Sequence, residues 1–342
     1  MKILVTGGAG FIGSNFIHYM FEHHPDYDII NLDKLTYAGN LENLKDIGPG
    51  KRYRFVRGDI ADADLVRGIM GQGIDAVINF AAESHVDRSI LEPASFIRTN
   101  ILGAHVLLDT ARERRIPRFV QISTDEVYGS LGATGRFTEE TCLHPNSPYS
   151  ASKASADLIA LAYHRTFGMP VLITRTSNNY GPYQFPEKLL PLAITNLMED
   201  EPVPIYGDGL NVRDWIFVMD NAEAIDTVLH KGEDGGIYNI GAGHESTNTS
   251  LVNSVLDIMG KPGSLIAYVK DRPGHDRRYA IDPSKIMTAL GWSPRTTLHD
   301  GLRMTVDWYR KNVDWWKRVR SGEYLKYYEK NYSAKGLKTD SR

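Results

Sequence analysis

Tyr149 and Lys153 stand four residues apart at the start of a stretch, Ser150 to Phe167, whose composition predicts a helix. Both side chains then project from one face. A free phenol titrates near ~10, but an ammonium beside it favours the phenolate and brings proton abstraction within reach of neutral pH. A second group follows the apolar run Phe119 to Ser123: Thr124, Asp125 and Glu126 offer a hydroxyl and two carboxylates at the carboxyl end of an expected strand. Open α/β sheets bind ligands at that edge, and two acids in unlike surroundings can divide acid and base roles. Taken singly, a Tyr–Lys pair at this spacing is more often surface packing, and an acidic tripeptide serves as well to cap a helix.

A third pattern gives these groups a context. Gly7, Gly10 and Gly13, with Phe11 and Ile12 between the last two, follow Ile3-Leu4-Val5 and precede a helix-like run from Ser14 to Glu22. The first glycine permits a tight turn, the second admits a pyrophosphate against the backbone, and the third allows close packing. Asp33 lies 20 residues beyond Gly13, at the end of the next expected strand, where a carboxylate can accept both ribose hydroxyls of an adenosine. A 2'-phosphate would meet like charge there, so NAD is favoured over NADP; Lys34 is the residue that could offset this. Leu35 and Thr36 continue the same edge. Asp59 and Ile60 end the third expected strand, and Phe80, Ala81, Ala82 and Ser84 end the fourth, with small alanines allowing a cofactor close approach.

Positioning these groups requires a particular fold. Strands are expected at Tyr53 to Arg57, Ala76 to Phe80, Phe119 to Ser123 and Val171 to Arg175, with helices at Leu65 to Met70, Ile97 to Arg114 and Ser150 to Phe167. This alternation predicts an α/β fold, a Rossmann-type doubly wound parallel sheet covered on both faces. From about Asn178, prolines at 182, 186, 191, 202 and 204 break the rhythm. The expected division is therefore a dinucleotide-binding domain over 1–177, to which segments around 214–241 return, and a smaller α/β substrate lobe over 178–332. Residues 333–342 read as a flexible tail. Trp308, Tyr309, Trp315, Trp316, Tyr324, Tyr327 and Tyr328 mix with basic residues, but Leu302, Val306, Tyr309, Val313 and Trp316 recur at helical spacing, as in a helix laid on the body.

Composition narrows the class. The 342 residues carry 39 Lys+Arg against 42 Asp+Glu, a net charge of -3, which supplies no basic field for nucleic acid or an anionic membrane. Cys142 is the single cysteine, so an intrachain disulfide is impossible and a reducing cytoplasm fits. The start shows neither a signal peptide nor a membrane-length apolar run. His85 and the group His18, His23 and His24 show no metal-ligand spacing, so no metal is expected.

Taken together, Gly7 to Gly13, Asp33 to Asn40, Ser123 to Gly129 and Ser147 to Lys153 resemble the dTDP-glucose 4,6-dehydratases, of the extended short-chain dehydrogenase/reductase type. The resemblance runs from residue 1 to about 332, through Ala82 to Ser89, Ser177 to Tyr183 and Asp271 to Tyr279. It implies NAD as a retained cofactor, with Thr99 and Asn179 added to its contacts, and dTDP-glucose as substrate. Tyr149, aided by Thr124 and Lys153, would take the 4-hydroxyl proton as hydride leaves C4. Glu126 would then remove the C5 proton while a protonated Asp125 donates to the departing 6-hydroxyl, giving a 4-keto-6-deoxy sugar for deoxysugar synthesis such as that of rhamnose. The family's sugar-nucleotide contacts fall on Ser84, Thr124, Asn178, Glu187, Lys188, Pro204, Ile205, Tyr206, Arg213, Asn248, Asp271, Arg272 and His275. Arg213 and Arg272 suit a diphosphate. The segment between Gly129 and Pro148 is shorter than in many members. Helices Ile97 to Arg114 and Ser150 to Phe167 resemble those forming a four-helix bundle in family homodimers. Open beside this reading stand a 4,6-dehydratase, epimerase or decarboxylase acting on a UDP-sugar, and a non-enzymatic NAD-binding sensor or scaffold.

Overall fold

The computed structural model describes residues 1–47, 52–271 and 274–321. Arg272, the aromatic residues Tyr324, Tyr327 and Tyr328, and the tail 333–342 lie outside the described residues.

In chain order, β1 (Lys2–Thr6), α1 (Phe11–His23), β2 (Asp28–Asp33), β3 (Tyr53–Arg57), α2 (Ala63–Met70) and β4 (Ala76–Asn79) form the first half of the large sheet. Two short helices, α3 (Val86–Leu91) and α4 (Pro93–Phe96), lead through a π-helical turn (Ile97–Gly103) into α5 (Ala104–Glu113). β5 (Phe119–Thr124), α6 (Pro148–Phe167) and β6 (Val171–Thr176) continue the alternation. Then come β7 (Asn178–Tyr180), α7 (Leu189–Met198), β8 (Val203–Tyr206), β9 (Val212–Phe217), α8 (Val218–Lys231), β10 (Ile237–Ile240), β11 (Glu245–Thr247), α9 (Asn248–Met259), β12 (Ile266–Val269), α10 (Ser284–Leu290), α11 (Leu298–Lys311) and α12 (Val313–Arg320).

The large sheet has the order β10-β6-β5-β4-β1-β2-β3, and every pairing within it is parallel. Alternation along the strands feeds two cores. Ile3, Val5, Ile29 and Leu172 meet α1 and α8 on one face, while Leu4, Ile30, Val171 and Ile173 meet α2, α5 and α6 on the other. The chain builds outward from β1 to β3 and then restarts at β4 in the opposite direction, so the crevice beyond β1 and β4 is the topological switch point.

Beyond β6 the strands are shorter: β7, β9 and β11 form one small sheet and β8 with β12 another. A third core fills this region, with Tyr180, Trp215, Tyr309 and Trp316 buried among α7, α9, α11 and α12. The C-terminal amphipathic stripe is split at Asn312, where α11 ends; Leu302, Val306, Tyr309 and Trp316 are buried on either side of the break and Val313 is half-buried. α8 and β10 return to the large sheet, whereas β9 stays in the small one. Among the described residues no helix is long and apolar enough to cross a membrane.

Candidate active site

The turn after β1 explains its glycines. Gly7 sits at φ 70°, and a Cβ there would come within 2.5 Å of the Ala81 nitrogen; a Cβ on Gly13 would meet the Gly7 carbonyl at 2.5 Å. These two close the β1–α1–β4 corner. Gly10 differs, for a Cβ on it would touch only the Gly7 carbonyl, at 3.3 Å, so its backbone is bare toward the cleft it lines.

That cleft, about 410 Å³, runs over the carboxyl ends of β1, β2, β4, β5 and β6 and up to the second lobe. Phe11, Ile12, Asp33, Lys34, Thr36, Asp59, Ile60, Phe80, Ala81, Ala82, Ser84, Thr99 and Asn179 line it with the glycines. Asp33 accepts from the Ala9 and Leu35 backbone N–H groups at 2.9 and 2.8 Å. Lys34 is committed elsewhere: its Nζ donates to Asp59 at 2.9 Å, with Arg98 on the same carboxylate, so it is no ready partner for a 2'-phosphate. Asn179 Oδ1 and Ser177 Oγ are buried along the cleft without hydrogen-bond partners among the described residues. A bare glycine turn, a carboxylate at the end of β2 and such orphaned polar atoms fit an adenine dinucleotide.

Thr124, Asp125, Glu126, Tyr149 and Lys153 converge on the inner part of the cleft. The β5 edge ends in a tight turn with Thr124 as its cap, which separates the two neighbouring acids: Asp125 is 2% exposed and Glu126 half-buried. Burial, and then the Glu126 carboxylate, push Asp125 well above the usual carboxylate range. Its Oδ1 accepts from the Thr124 hydroxyl at 3.3 Å and its Oδ2 accepts from no described group. Ser147 and Ser150 form a capping box that starts α6 at Pro148, one turn before Lys153.

Burial and then Glu126 hold the Tyr149 phenol well above its ordinary value, with the Thr124 hydroxyl acting the other way. Burial also brings Lys153 down to about 8, and its Nζ donates to the Ile122 carbonyl. The chain alone therefore keeps the phenol protonated.

Toward the second lobe the cleft is lined by Asn178, Glu187, Lys188, Pro204, Tyr206, Arg213, Asn248 and His275. Arg213 stacks on the Tyr279 ring at 4.2 Å and donates to the Val212 and Asp276 carbonyls. Burial raises Glu187 to about 7, although Lys188 and Arg88 oppose the shift. Three expected contacts do not line the cleft. Ile205 is fully buried in the third core because strand alternation in β8 turns Pro204 and Tyr206 the other way. Leu35, at φ 57°, offers its backbone N–H to Asp33 instead, and Asp271 is exposed and paired with His275 Nδ1 at 2.6 Å.

Several residues were not anticipated. Asn100 ties the β4 edge to α6, exchanging hydrogen bonds with the Glu83 backbone and donating to Ser152 Oγ at 2.8 Å. His85, Asp87, Gln184, Trp215 and Tyr279 also line the cleft; His85, Asp87 and Tyr279 belong to the strings Ala82 to Ser89 and Asp271 to Tyr279, which signalled a site without assigning them roles. Away from the cleft, His24, Asp226 and His230 come together, with both imidazoles 3.0 Å from Asp226 Oδ1. Spacing could not show this grouping, because the partner of His24 is 202 residues away.

The GDP-mannose 4,6 dehydratase family matches residues 4–305. The dTDP-glucose 4,6-dehydratase of Streptomyces niveus is 52% identical over 94% of this chain and 96% of its own length. The structure of the dTDP-glucose 4,6-dehydratase of Bacillus anthracis in complex with NAD aligns with a TM-score of 0.88 at 52% identity, covering 93% of this chain and 99% of that one. That of Streptomyces venezuelae, with NAD and TYD bound, aligns at 0.91 and 50% identity over 93% of this chain and all of the other.

Proposed function

The chain belongs to the dTDP-glucose 4,6-dehydratases, and we propose that the five residues gathered in the inner cleft carry that reaction. It is an NAD-dependent hydro-lyase that converts dTDP-glucose to dTDP-4-keto-6-deoxyglucose. One observation carries the assignment of roles: a buried Asp125, whose affinity for a proton burial raises, stands beside a more open Glu126 in the same cleft as Tyr149. A 4-epimerase needs a base for one hydroxyl and no such pair of acids, so an epimerase reading leaves Asp125 and Glu126 unexplained, as does a non-catalytic scaffold.

NAD⁺, when bound, supplies the acceptor and later donor of a sugar hydride, and a positive ring in the cleft. Gly7, Gly10 and Gly13 would cradle its pyrophosphate at the N-terminus of α1, Asp33 its adenosine ribose, and Asn179 and Lys153 the far end. Tyr149 takes the proton from the 4-hydroxyl, and because burial opposes its ionisation it needs positive charge nearby; Lys153 is the chain's own. A ketone at C4 acidifies the C5 proton, which Glu126 removes. Asp125, its affinity for a proton raised by burial, hands that proton to the departing 6-hydroxyl. Arg213, Lys188, Asn248, His275 and the Pro204 and Tyr206 faces hold the nucleotide end, with Arg213 oriented by Tyr279.

The chain divides, on this reading, into a cofactor lobe over 1–177 joined by α8 and β10, and a sugar-nucleotide lobe over most of 178–332. A homodimer is supported by Ile97, Leu102, Leu158 and Phe167, all exposed on the two adjacent helical segments. Residence in the cytoplasm is supported by the single cysteine. Purified protein given dTDP-glucose without added nucleotide should form the alkali-developed 4-keto chromophore. Absence of that chromophore after NAD is added would overturn the reading, and equal rates with UDP-glucose would remove the dTDP assignment.

A further inference from the structure

α6 carries Tyr149, Lys153 and Asp157 at successive helical turns, so the three form one ridge. The first two line the cleft; the third lies beneath it, fully buried. Asp157 Oδ2 accepts from Arg175 Nε at 2.9 Å, and Arg175, from β6, is itself only 2% exposed. Arg175 Nη1 donates to the Tyr128 hydroxyl at 3.0 Å, which donates to Asn239 Oδ1 at 2.8 Å, fixing the guanidinium between the β5 turn and β10. Asp157 Oδ1 accepts no hydrogen bond from a described group, although Ser123 at the end of β5 stands beside the carboxylate. An ionised pair costs several kcal/mol to desolvate, so a purely structural need would be met as well by apolar residues of similar volume.

The lysine one turn above explains why a charge is placed there. Lys153 is buried, which favours the neutral amine, and the Asp157 charge acts on it in the opposite sense. Other titratable groups acting around this end of α6 include Asp125 and Glu126, which act on Tyr149, and Tyr128, which acts on Arg175. We propose that Asp157, held by Arg175 one turn below Lys153 on the same buried ridge, is a positioning residue that keeps Lys153 charged beside Tyr149, acting on the reaction through the lysine. The inference rests on the dehydratase reading.

The test is the pH dependence of kcat. Without Asp157 the amine loses its proton at lower pH, and with it goes the charge that favours the Tyr149 phenolate. In Asp157→Asn the alkaline limb should therefore move to lower pH by about one unit or more, the size expected of one opposite charge at close range. kcat near pH 8 should fall about tenfold, while KM for dTDP-glucose stays within about twofold. Asp157→Asn alone strands the Arg175 cation in the core, so Asp157→Asn with Arg175→Gln, which exchanges the ion pair for two amides, is measured beside it and should show the same displacement. Asp157→Glu keeps the charge and should retain the native limb. A paired variant that folds and keeps the native pH limb overturns the proposal, as does a change confined to KM, or a limb displaced equally in Asp157→Glu. Inactive native protein would instead count against the dehydratase reading, so the two failures are distinct.

Discussion

At the scale of single residues the division between Asp125 and Glu126 rests on a difference in burial created by one tight turn. Asp125 is raised by burial first and by the Glu126 carboxylate second. A carboxyl with its proton affinity raised gives up the proton only at higher pH, so any change that removes a raising cause moves its deprotonation to lower pH. Glu126→Gln removes one such cause. The protonated-carboxyl infrared band of Asp125, identified by its loss in Asp125→Asn, should vanish at lower pH in Glu126→Gln than in the native protein; an unmoved band would mean that the two acids do not sense each other. Each replacement should also lower turnover by about 10²–10⁴-fold, the usual worth of a positioned acid or base. On the proposed assignment neither acid acts in the first oxidation, so reduced-nicotinamide absorbance should build up in both variants, and equal loss of oxidation and elimination would reject it.

At the scale of elements, α1 and α8 pack against the same face of the sheet, and their C-terminal ends are joined by a polar clasp. Asp226 of α8 meets His24, just past α1, and His230 one turn on; Tyr27 bonds His230 Nε2 at 2.8 Å. The Asp226 hydrogen bond raises His230, against burial and nearby Arg118. Burial pushes Asp226 up, but the His230 and His24 bonds prevail and hold it below its ordinary value. A raised histidine contributes stability that is complete below its unfolded value of 6.5 and is lost as pH climbs through the folded one. The lowered Asp226 works in the other direction, losing its contribution only as pH falls through its depressed value. Asp226→Asn should therefore cost most between these limits and little in the alkaline range. Since the clasp is partly exposed it is worth about 1 kcal/mol or less, or about 2 °C in Tm; a Tm difference independent of pH would show that the clasp is not ionic. This clasp was invisible in the sequence because its partners are joined only by the fold. The same limit applies to Ile97–Gly103, where apolar spacing reads as ordinary helix and the π-helical hydrogen bonding depends on how Asn100 is held between the β4 edge and α6. By contrast Gly7, Gly13 and the Tyr149–Lys153 spacing were legible, since each reflects a constraint within one turn or one corner. Ile205 was misassigned because a three-residue string does not reveal which face of a short strand meets the ligand.

At the scale of the whole molecule, the proposed dimer would make α6 the element that connects chemistry to assembly. Its buried ridge presents Tyr149 and Lys153 to the cleft, while Leu158 and Phe167 are 57% and 54% exposed, and the adjoining π-helical turn leaves Ile97 and Leu102 exposed as well. Large apolar side chains grouped on neighbouring helices are costly in water, and a second copy of the chain would cover them by two-fold symmetry. Burying one Leu or Ile side chain is worth about 1.5–3 kcal/mol. Ile97→Glu combined with Leu158→Glu should then raise the dimer dissociation constant by at least about 100-fold, shifting the protein to monomer in equilibrium sedimentation at micromolar concentration. Neither residue lines the cleft, so the monomer should still bind NAD. Its Tm should fall with dilution less steeply than that of the native protein, because a dimer's stability depends on concentration and a monomer's does not. A native protein that sediments as a monomer would remove the dimer, and an unchanged dimer in the double variant would place the interface on another face.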